Sequence, residues 1–454
     1  MESQKVIQYK NPLEEESPGK LILKYSFPAI VSSLINSIYN IVDQIFIGNS
    51  VGRLGNAATN IEFPLVLIVS AVSMTLGVGG ASAFSLHLGR REEKEAEEIV
   101  GNGLMLMLIF GVGLCCLSLL FLRSLLIAFG GRGQTLEYAV EYTRISAVGI
   151  PLSVLVTGAS QFIRADGSPR YSMAATLSGA ILNCILDPVF IFVFHMGMSG
   201  AALATVIGKL VSAVFVISYL RRFQTFKLQL KDFLLKKKNM IKIFRLGAAS
   251  GANQLAVTLM QIVMNNILGY YGEQSVYGRD IPLACVGVIS KVNNICSSVN
   301  FGIAQSTQPI IGYNYGAGNY ARVKTAFKKA AWIVTEVSLA AFLCFQFFPL
   351  QITRIFGSGD ELYFDFALRY FRIFLSCVFI TGFHALATNF FPSIGKGGIG
   401  TIVSLSRQVF FLLPLLIVFP MLWGIDGVLW TGPIADGLSG VLALWMVRRE
   451  MRRW

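Results

Sequence analysis

Twelve apolar stretches constrain this chain more than anything else in it, because each is about as long as a helix that crosses a bilayer, roughly 20 residues. They fall at 21–47, 57–85, 99–122, 138–163, 172–194, 200–220, 243–270, 282–312, 330–350, 366–391, 400–420 and 427–447. Apolar residues make up 54% of the 454 positions, so twelve crossings use nearly all of them. Charged residues are 14%, against roughly 25% in soluble domains. The runs are near-continuous rather than alternating with period two, which excludes a transmembrane β-barrel. The predicted fold class is an all-α polytopic membrane protein of 12 transmembrane helices.

The connectors alternate in charge. Lys and Arg concentrate in one set: Lys5, Lys10, Lys20 and Lys24; Arg90, Arg91 and Lys94; Arg164 and Arg170; the run between Arg221 and Arg245; Arg322, Lys324, Lys328 and Lys329; Lys396; and the tail from Arg448. The other set holds Arg53, Arg123, Arg132, Arg279 and Arg354. Cytoplasmic loops collect basic residues, so both termini are predicted to be cytoplasmic. The same bias accounts for most of the net charge of +13 without a nucleic-acid partner. All seven cysteines lie in apolar stretches and no CxxC occurs, so neither a disulfide framework nor a cysteine metal site is predicted. The polar first twenty residues, with Glu14, Glu15 and Glu16, do not read as a cleavable signal peptide.

The chain divides as a tail (1–20), a six-helix lobe (21–220), a basic linker (221–242), a second six-helix lobe (243–447) and a second tail (448–454). The linker is partly amphipathic, as a segment lying along an anionic leaflet would be. The lobes repeat. HMGMSGAALAT at 195–205 matches LWGIDGVLWTG at 422–432, pairing Gly197 with Gly424 and Gly200 with Gly427, and the same interval pairs Gly89 with Gly316. Six helices per repeat is an even number, so the lobes should be related by a pseudo-two-fold along the membrane normal. Two such lobes enclose a cleft that rocking exposes to either side. The expected cleft is lined by helices 1, 2, 7 and 8 with Phe, Met, Asn and Gln.

Ionisable groups at membrane depth are costly and point to function. Helix 1 carries Asn36, Tyr39, Asn40 and Asp43 at helical spacing. Helix 5 carries Asn183 and Asp187 one turn apart, and helix 6 carries Thr205. Two carboxylates, an amide oxygen and a hydroxyl suit an alkali cation such as Na⁺, or a proton shared between the acids. Helix 7 has an uncharged polar stripe, Gln254, Thr258, Gln261 and Asn265, suited either to a substrate path or to interhelical hydrogen bonds. Helix 8 adds Lys291 and Asn294 to the candidate path. Lys209 lies one turn from Thr205, Arg407 could snorkel, Asp436 is a candidate partner for Lys291, and His384 could titrate near neutral pH. Pro28 is a candidate hinge in helix 1. GVGGAS at 77–82 reads as a helix-packing motif, and in GYNYGAGNYARVK the glycines Gly316 and Gly318 read as turn formers. No nucleotide-binding or hydrolase motif occurs, so an enzyme is not predicted.

These residues carry a resemblance. YNIVDQIFIG (39–48), GVGGASAFSLHLG (77–89), ILNCILDPVF (181–190) and QPIIGYNYGAGNYARVK (308–324) resemble the multidrug and toxic compound extrusion (MATE) family over essentially the whole chain, and within it the MepA-like bacterial branch. The resemblance implies a monomeric secondary antiporter of a bacterial inner membrane, exporting amphiphilic organic cations against Na⁺ or H⁺ and using no cofactor. It implies a cation site of Asp43, Tyr39, Asn183, Asp187 and Thr205, with Pro28 as the bend-forming proline. Where some members carry a C-lobe glutamate and aspartate, this chain has Gln254 and the Phe383–His384 neighbourhood, so no C-lobe site of that type is expected. A lipid-linked oligosaccharide flippase of the same superfamily is the alternative, kept open by Lys209, Lys291 and Arg407.

Overall fold

The computed structural model describes residues 12–355 and 361–454, which are helical almost throughout. In the first half, α1 is Pro18–Val51, α2 Arg53–Gly89 and α3 Glu93–Leu120. The next, α4 (Gly133–Ala165), tightens into a 3-10 turn at Ala147–Gly149, just before Pro151 withdraws a backbone donor. The fifth, α5 (Pro169–Val193), ends in a π-helical turn after Pro188, and α6 is Gly197–Leu220. In the second half, α7 is Lys237–Glu273, α8 Asp280–Gly316 and α9 Tyr320–Phe347. Helix α10 joins Glu361–Phe374 to Val378–Ser393 across a 52° bend. Helices α11 (397–422) and α12 (425–451) form Gly397–Met451, divided where Trp423 and Gly424 leave helical geometry.

Among the described residues, helices stand at all twelve expected stretches. Helices α7 and α8 do not qualify as spans on length and apolarity alone; α7 opens with Lys237, Lys238, Lys242 and Arg245, and α8 carries Lys291, Asn293, Asn294 and Asn300. The linker is shorter than 221–242, because α7 starts at Lys237. The reason is a docking contact: Asn102 of α3 accepts from the Lys236 backbone N–H at 2.7 Å and donates to the carbonyls of Asp232 and Leu234. That fixes the chain at the entrance to α7 and lets the helix begin among the lysines.

The repeat is structural as well as sequential. Helices α1 and α5 pack together as α7 and α11 do, and α2 and α4 as α8 and α10 do. Between halves, α2 meets α7 and α8 meets α1, which exchange under the same two-fold. The paired Gly197 and Gly424 both have positive φ, 54° and 57°, a backbone that glycine adopts without cost.

Both ends of the described chain gather on one face. Asn314 donates to the Leu13 carbonyl at 3.1 Å, and Lys324 donates to that of Trp454 at 2.8 Å. On this terminal face one apolar core runs through both halves, including Tyr25, Phe84, Phe162, Ile243, Ile303 and Phe390. Towards the opposite face the core splits into one cluster per half, around Ile47, Tyr142 and Met198 in the first and Met264, Phe366 and Leu429 in the second. The molecule is therefore sealed at the terminal face and divided at the other. The seal is backbone against backbone: a Cβ on Gly79 would meet the Ile243 carbonyl oxygen at 2.1 Å, as expected of a packing motif at 77–82. Gly316, read from sequence as a turn former, is a second close approach. It ends α8 as a helical residue, and a Cβ there would lie 2.2 Å from the Leu86 carbonyl oxygen. Gly318, at φ 76°, makes the turn. Arg322 ties the two halves by donating to Asn314 Oδ1 and to the carbonyls of Leu13 and Glu16. All seven cysteines are free thiols.

Candidate functional site

Where the core divides, a cavity of about 610 Å³ opens. It belongs mostly to the first half. Small residues create the local geometry. A Cβ on Gly179 would collide with the Gly208 carbonyl, so α5 and α6 are nearly in backbone contact there. One turn further, that approach brings Asn183 Nδ2 to 3.3 Å from Thr205 Oγ1 and leaves it 3.2 Å from Asp187 Oδ1. Tyr39 and Tyr142 line the same cavity as Thr205. Asp187, held by Asn183, stands close enough to Asp43 for the two charges to interact, and two neighbouring buried acids favour a shared proton or a cation between them.

The five residues singled out in sequence as a cation site thus converge: Tyr39 and Asp43 from α1, Asn183 and Asp187 from α5, and Thr205 from α6. Asp43 is 9% exposed, Asn183 2% and Asp187 0%. Asp43, Asn183 and Thr205 line the cavity, whereas Asp187 sits behind them. Three buried oxygens of the cluster, Asp43 Oδ1, Asn183 Oδ1 and Asp187 Oδ2, have no hydrogen-bond partner among the described residues. A buried oxygen left in that state is costly. Hard, unpaired oxygens in one cluster fit a Na⁺ passing through as cargo, and the acid pair fits a proton equally well.

Sequence reasoning missed two members. Glu62 of α2 is 7% exposed, lines the same cavity and accepts a short hydrogen bond from the Ser146 hydroxyl, at the edge of the 3-10 turn in α4. Tyr142 lies one turn earlier on α4. The signal for Glu62 was available, since it is an ionisable residue inside an apolar stretch. Lys209, left without a role by the sequence, lines the cavity together with Asp43 and Glu62 and makes no direct ion pair with either.

The candidate path divides. Asn36, Gln254, Lys291 and Asn294 line the cavity. Thr258 bonds back to the Gln254 carbonyl at 3.0 Å, and neither it nor the exposed Gln261 and Asn265 belongs to the lining. The stripe on α7 is continued by helical spacing past the point where the halves separate. The side chain of Asn40 lies outside the described residues. The lining includes Phe63 but no methionine, and draws on α4, α5 and α6 more than the expected even share between the halves. Outside that lining, Gln161 of α4 donates to Gln305 Oε1 of α8 at 3.5 Å beside Met74, a polar contact between the halves. Pro28 lies within an uninterrupted α1.

Among the described residues, the second half holds no comparable cluster at its equivalent position. Asp436 pairs with Arg407 at 2.6 Å, not with Lys291, because a π-helical turn over Ser406–Leu412 presents Arg407 inward to α12 instead of letting it snorkel. His384 is buried with Nε2 2.8 Å from the Val403 carbonyl oxygen, a structural contact between α10 and α11.

Comparison with known proteins agrees with this architecture. The family described as MatE matches residues 28–189 and 249–418. Curated relatives include the multidrug export protein MepA of Staphylococcus haemolyticus, 26% identical over 96% of this chain and 94% of the relative. The MepA of Staphylococcus aureus is 24% identical over 95% and 94%. An outward-facing multidrug resistance MATE family transporter of the MOP superfamily superposes with a TM-score of 0.90 at 24% identity, covering 97% of each chain. A MOP superfamily transporter from Pyrococcus furiosus, described by the reverse polarity of its binding pocket and a suggested different function, gives 0.89 at 24%, again over 97% of each. The chain belongs to the MatE family.

Proposed function

We propose that this MatE family member is a monomeric secondary transporter that exports amphiphilic organic cations in exchange for an entering Na⁺ or H⁺. The observation that carries this reading is a buried acidic cluster in a cavity that is sealed from the terminal face and divided open towards the other. The positive-inside bias puts the terminal face in the cytoplasm of a bacterial inner membrane, so the state described is open outward. An organic cation finds the Asp43 and Glu62 carboxylates and the rings of Tyr39, Phe63 and Tyr142 in one wall, and cations are held by both charge and aromatic faces. A Na⁺ or proton taken between Asp43 and Asp187 removes the charge that holds the substrate. The two cations then favour opposite states, which is the thermodynamic requirement for exchange. Pro28, whose ring leaves a helical carbonyl unpaired, is the proposed bending point of α1.

The second reading, a lipid-linked oligosaccharide flippase, draws on Lys209 and Lys291 in the same lining. Lys209 is flanked by Asp43 and Glu62, which leaves Lys291 as the single uncompensated cation for a phosphate. Proteoliposomes separate the readings. Counterflow of ethidium driven by an imposed pH or Na⁺ gradient supports cation exchange. Translocation of a lipid-linked sugar, with no response of ethidium to either gradient, would replace it.

A further inference from the structure

A second hollow, of about 300 Å³, lies on the terminal face, outside the transport cavity. Its walls come from both halves. The end of α2 gives Leu86, His87 and Arg90, and the first turns of α7 give Lys238, Ile241, Lys242, Arg245 and Leu246. The α7 residues recur at intervals of three and four, so they share one helical face. Within the hollow, Lys242 Nζ donates to His87 Nε2 at 2.6 Å, and His87 Nδ1 bonds to Glu92. That chain fixes the rear wall and uses Lys242. Arg90, Lys238 and Arg245 are exposed and make no ion pair among the described residues. Three free cations therefore border a concave site whose lining also holds buried Leu86 and Leu246 and the 56%-exposed Ile241. A solvated basic loop obeying positive-inside needs neither the concavity nor the exposed isoleucine.

The neighbourhood is built for a lipid surface. The linker docked on α3 leaves Leu230 91%, Leu234 68% and Leu235 40% exposed among Lys231, Lys236 and Lys237. Apolar side chains and lysines interleaved at the end of a membrane helix match the boundary between acyl chains and anionic headgroups.

We propose that this hollow binds the phosphate of an anionic phospholipid, and that its occupancy favours the state sealed on the terminal face. Arg90 sits on one half, and Lys238 and Arg245 on the other, so one phosphate meets all three only while α2 and α7 are together. A ligand that binds one state better than the other shifts the equilibrium towards it. The Ile241, Leu86 and Leu246 surface receives the glycerol end of the chains.

The test uses the purified full-length protein in an equal mixture of phosphatidylglycerol and phosphatidylcholine, with retained lipid read by native mass spectrometry. Wild type should retain phosphatidylglycerol selectively. Lys238→Gln with Arg245→Gln should lower that retention about tenfold, while Arg221→Gln with Arg222→Gln, an equal charge loss on the same face outside the hollow, should not. Arg90→Gln alone, on the opposite wall, should also lower it. Spin labels across the terminal face should report a larger sealed fraction in phosphatidylglycerol nanodiscs than in phosphatidylcholine for wild type, but not for the double variant. Equal lipid retention by both double variants would overturn the site. Displacement of the lipid by millimolar inorganic phosphate, with the same sealing effect, would overturn the lipid as source and leave a soluble phosphate site.

Discussion

Gly247→Ala tests whether backbone contact between α2 and α7 is what seals the terminal face. A Cβ at this position would lie 1.7 Å from the Thr75 carbonyl oxygen and 2.6 Å from its carbon. A carbon needs about 3.3 Å from a carbonyl oxygen, so the helices must part by roughly 1.5 Å. The neighbouring Thr75 atoms are backbone atoms, and no rotamer change relieves the clash. The same seam includes Gly79 against Ile243 and Gly251 against Thr75, so it opens along its length. Overpacking of this kind costs about 1–3 kcal/mol, which shifts the sealed-to-open ratio by about 5- to 150-fold. Spin labels on Lys94 and Lys328, exposed on opposite halves of the terminal face, in a background lacking the seven cysteines, read that ratio as a distance distribution. Gly437→Ala is the control, since its Cβ meets nothing within 4 Å. Alanine elsewhere in a helix is favoured by about 1 kcal/mol, so the two variants should differ in sign. If Gly247→Ala keeps the wild-type distances and transport rate, the seal does not depend on this contact.

Asp43→Asn and Asp187→Asn should each abolish gradient-driven ethidium accumulation in vesicles while leaving the protein folded by size-exclusion chromatography; uphill transport at wild-type rates would remove the pair from coupling. Lys209→Met deletes the ammonium beside Asp43 and Glu62 and should tighten ethidium binding by about tenfold, one coupling energy of about 1–3 kcal/mol; unchanged affinity by fluorescence titration would show that Lys209 does not compete for those acids. Arg322→Ala removes three hydrogen bonds, two of them to backbone carbonyls, and should lower stability by about 3 kcal/mol without altering which cations are exported; a thermal-shift assay and a substrate panel check both halves of that statement. Outside the membrane-spanning segments, burial pushes the Asp166 carboxyl up to about 6 despite its bonds from Thr225, Gln224 and Tyr219. A carboxyl raised in the folded state stabilises most when protonated, so this contribution is present below about pH 4 and lost as pH rises through about 6. Asp166→Asn should flatten that part of the pH–stability profile, and a profile with unchanged slope would contradict the assignment.

What the sequence made legible follows from what lipid forbids. Asp43, Asn183, Asp187 and Thr205 stand out because polar groups in apolar helices need a reason, and helical spacing places them on facing sides. Glu62 obeys the same rule, yet it lies near the start of its stretch, where an acid also reads as an interfacial residue; only the fold shows that α2 carries it inward to Ser146. The α7 stripe, of which Gln254 lines the cavity and Gln261 does not, divides for the opposite reason. Periodicity assigns a face but not a depth, and the lobes have already separated by Gln261. Arg407 and Asp436 could not be matched from sequence because a π-helical turn changes the register between them. Gly316 looked like a turn former because the αL position lies two residues later, at Gly318.

The polarity of the two halves supports placing the proposed coupling in one of them. At the interval that relates Gly197 to Gly424, Lys209 of α6 relates to Asp436 of α12, so equivalent positions carry opposite charge. In the second half the acid is matched directly by Arg407 at 2.6 Å, and the pair lines no part of the transport cavity. Its charge is satisfied in place. In the first half Lys209 faces more acid than it can neutralise, and three buried oxygens are unpaired among the described residues, which is the imbalance that the proposed external cation would complete. The helices that hold those acids also hold the seal. Helix α1 carries Tyr39 and Asp43 at one end and, towards the other, Ile30 packed where a Cβ on Gly302 would sit 3.1 Å from its backbone nitrogen. Helix α2 carries Glu62 and, along the same rod, Thr75 against Gly247. A change of charge at the cluster therefore acts on the two elements whose contacts with α8 and α7 decide whether the terminal face is closed, and continuous helices of this kind are the physical connection that a coupling argument requires.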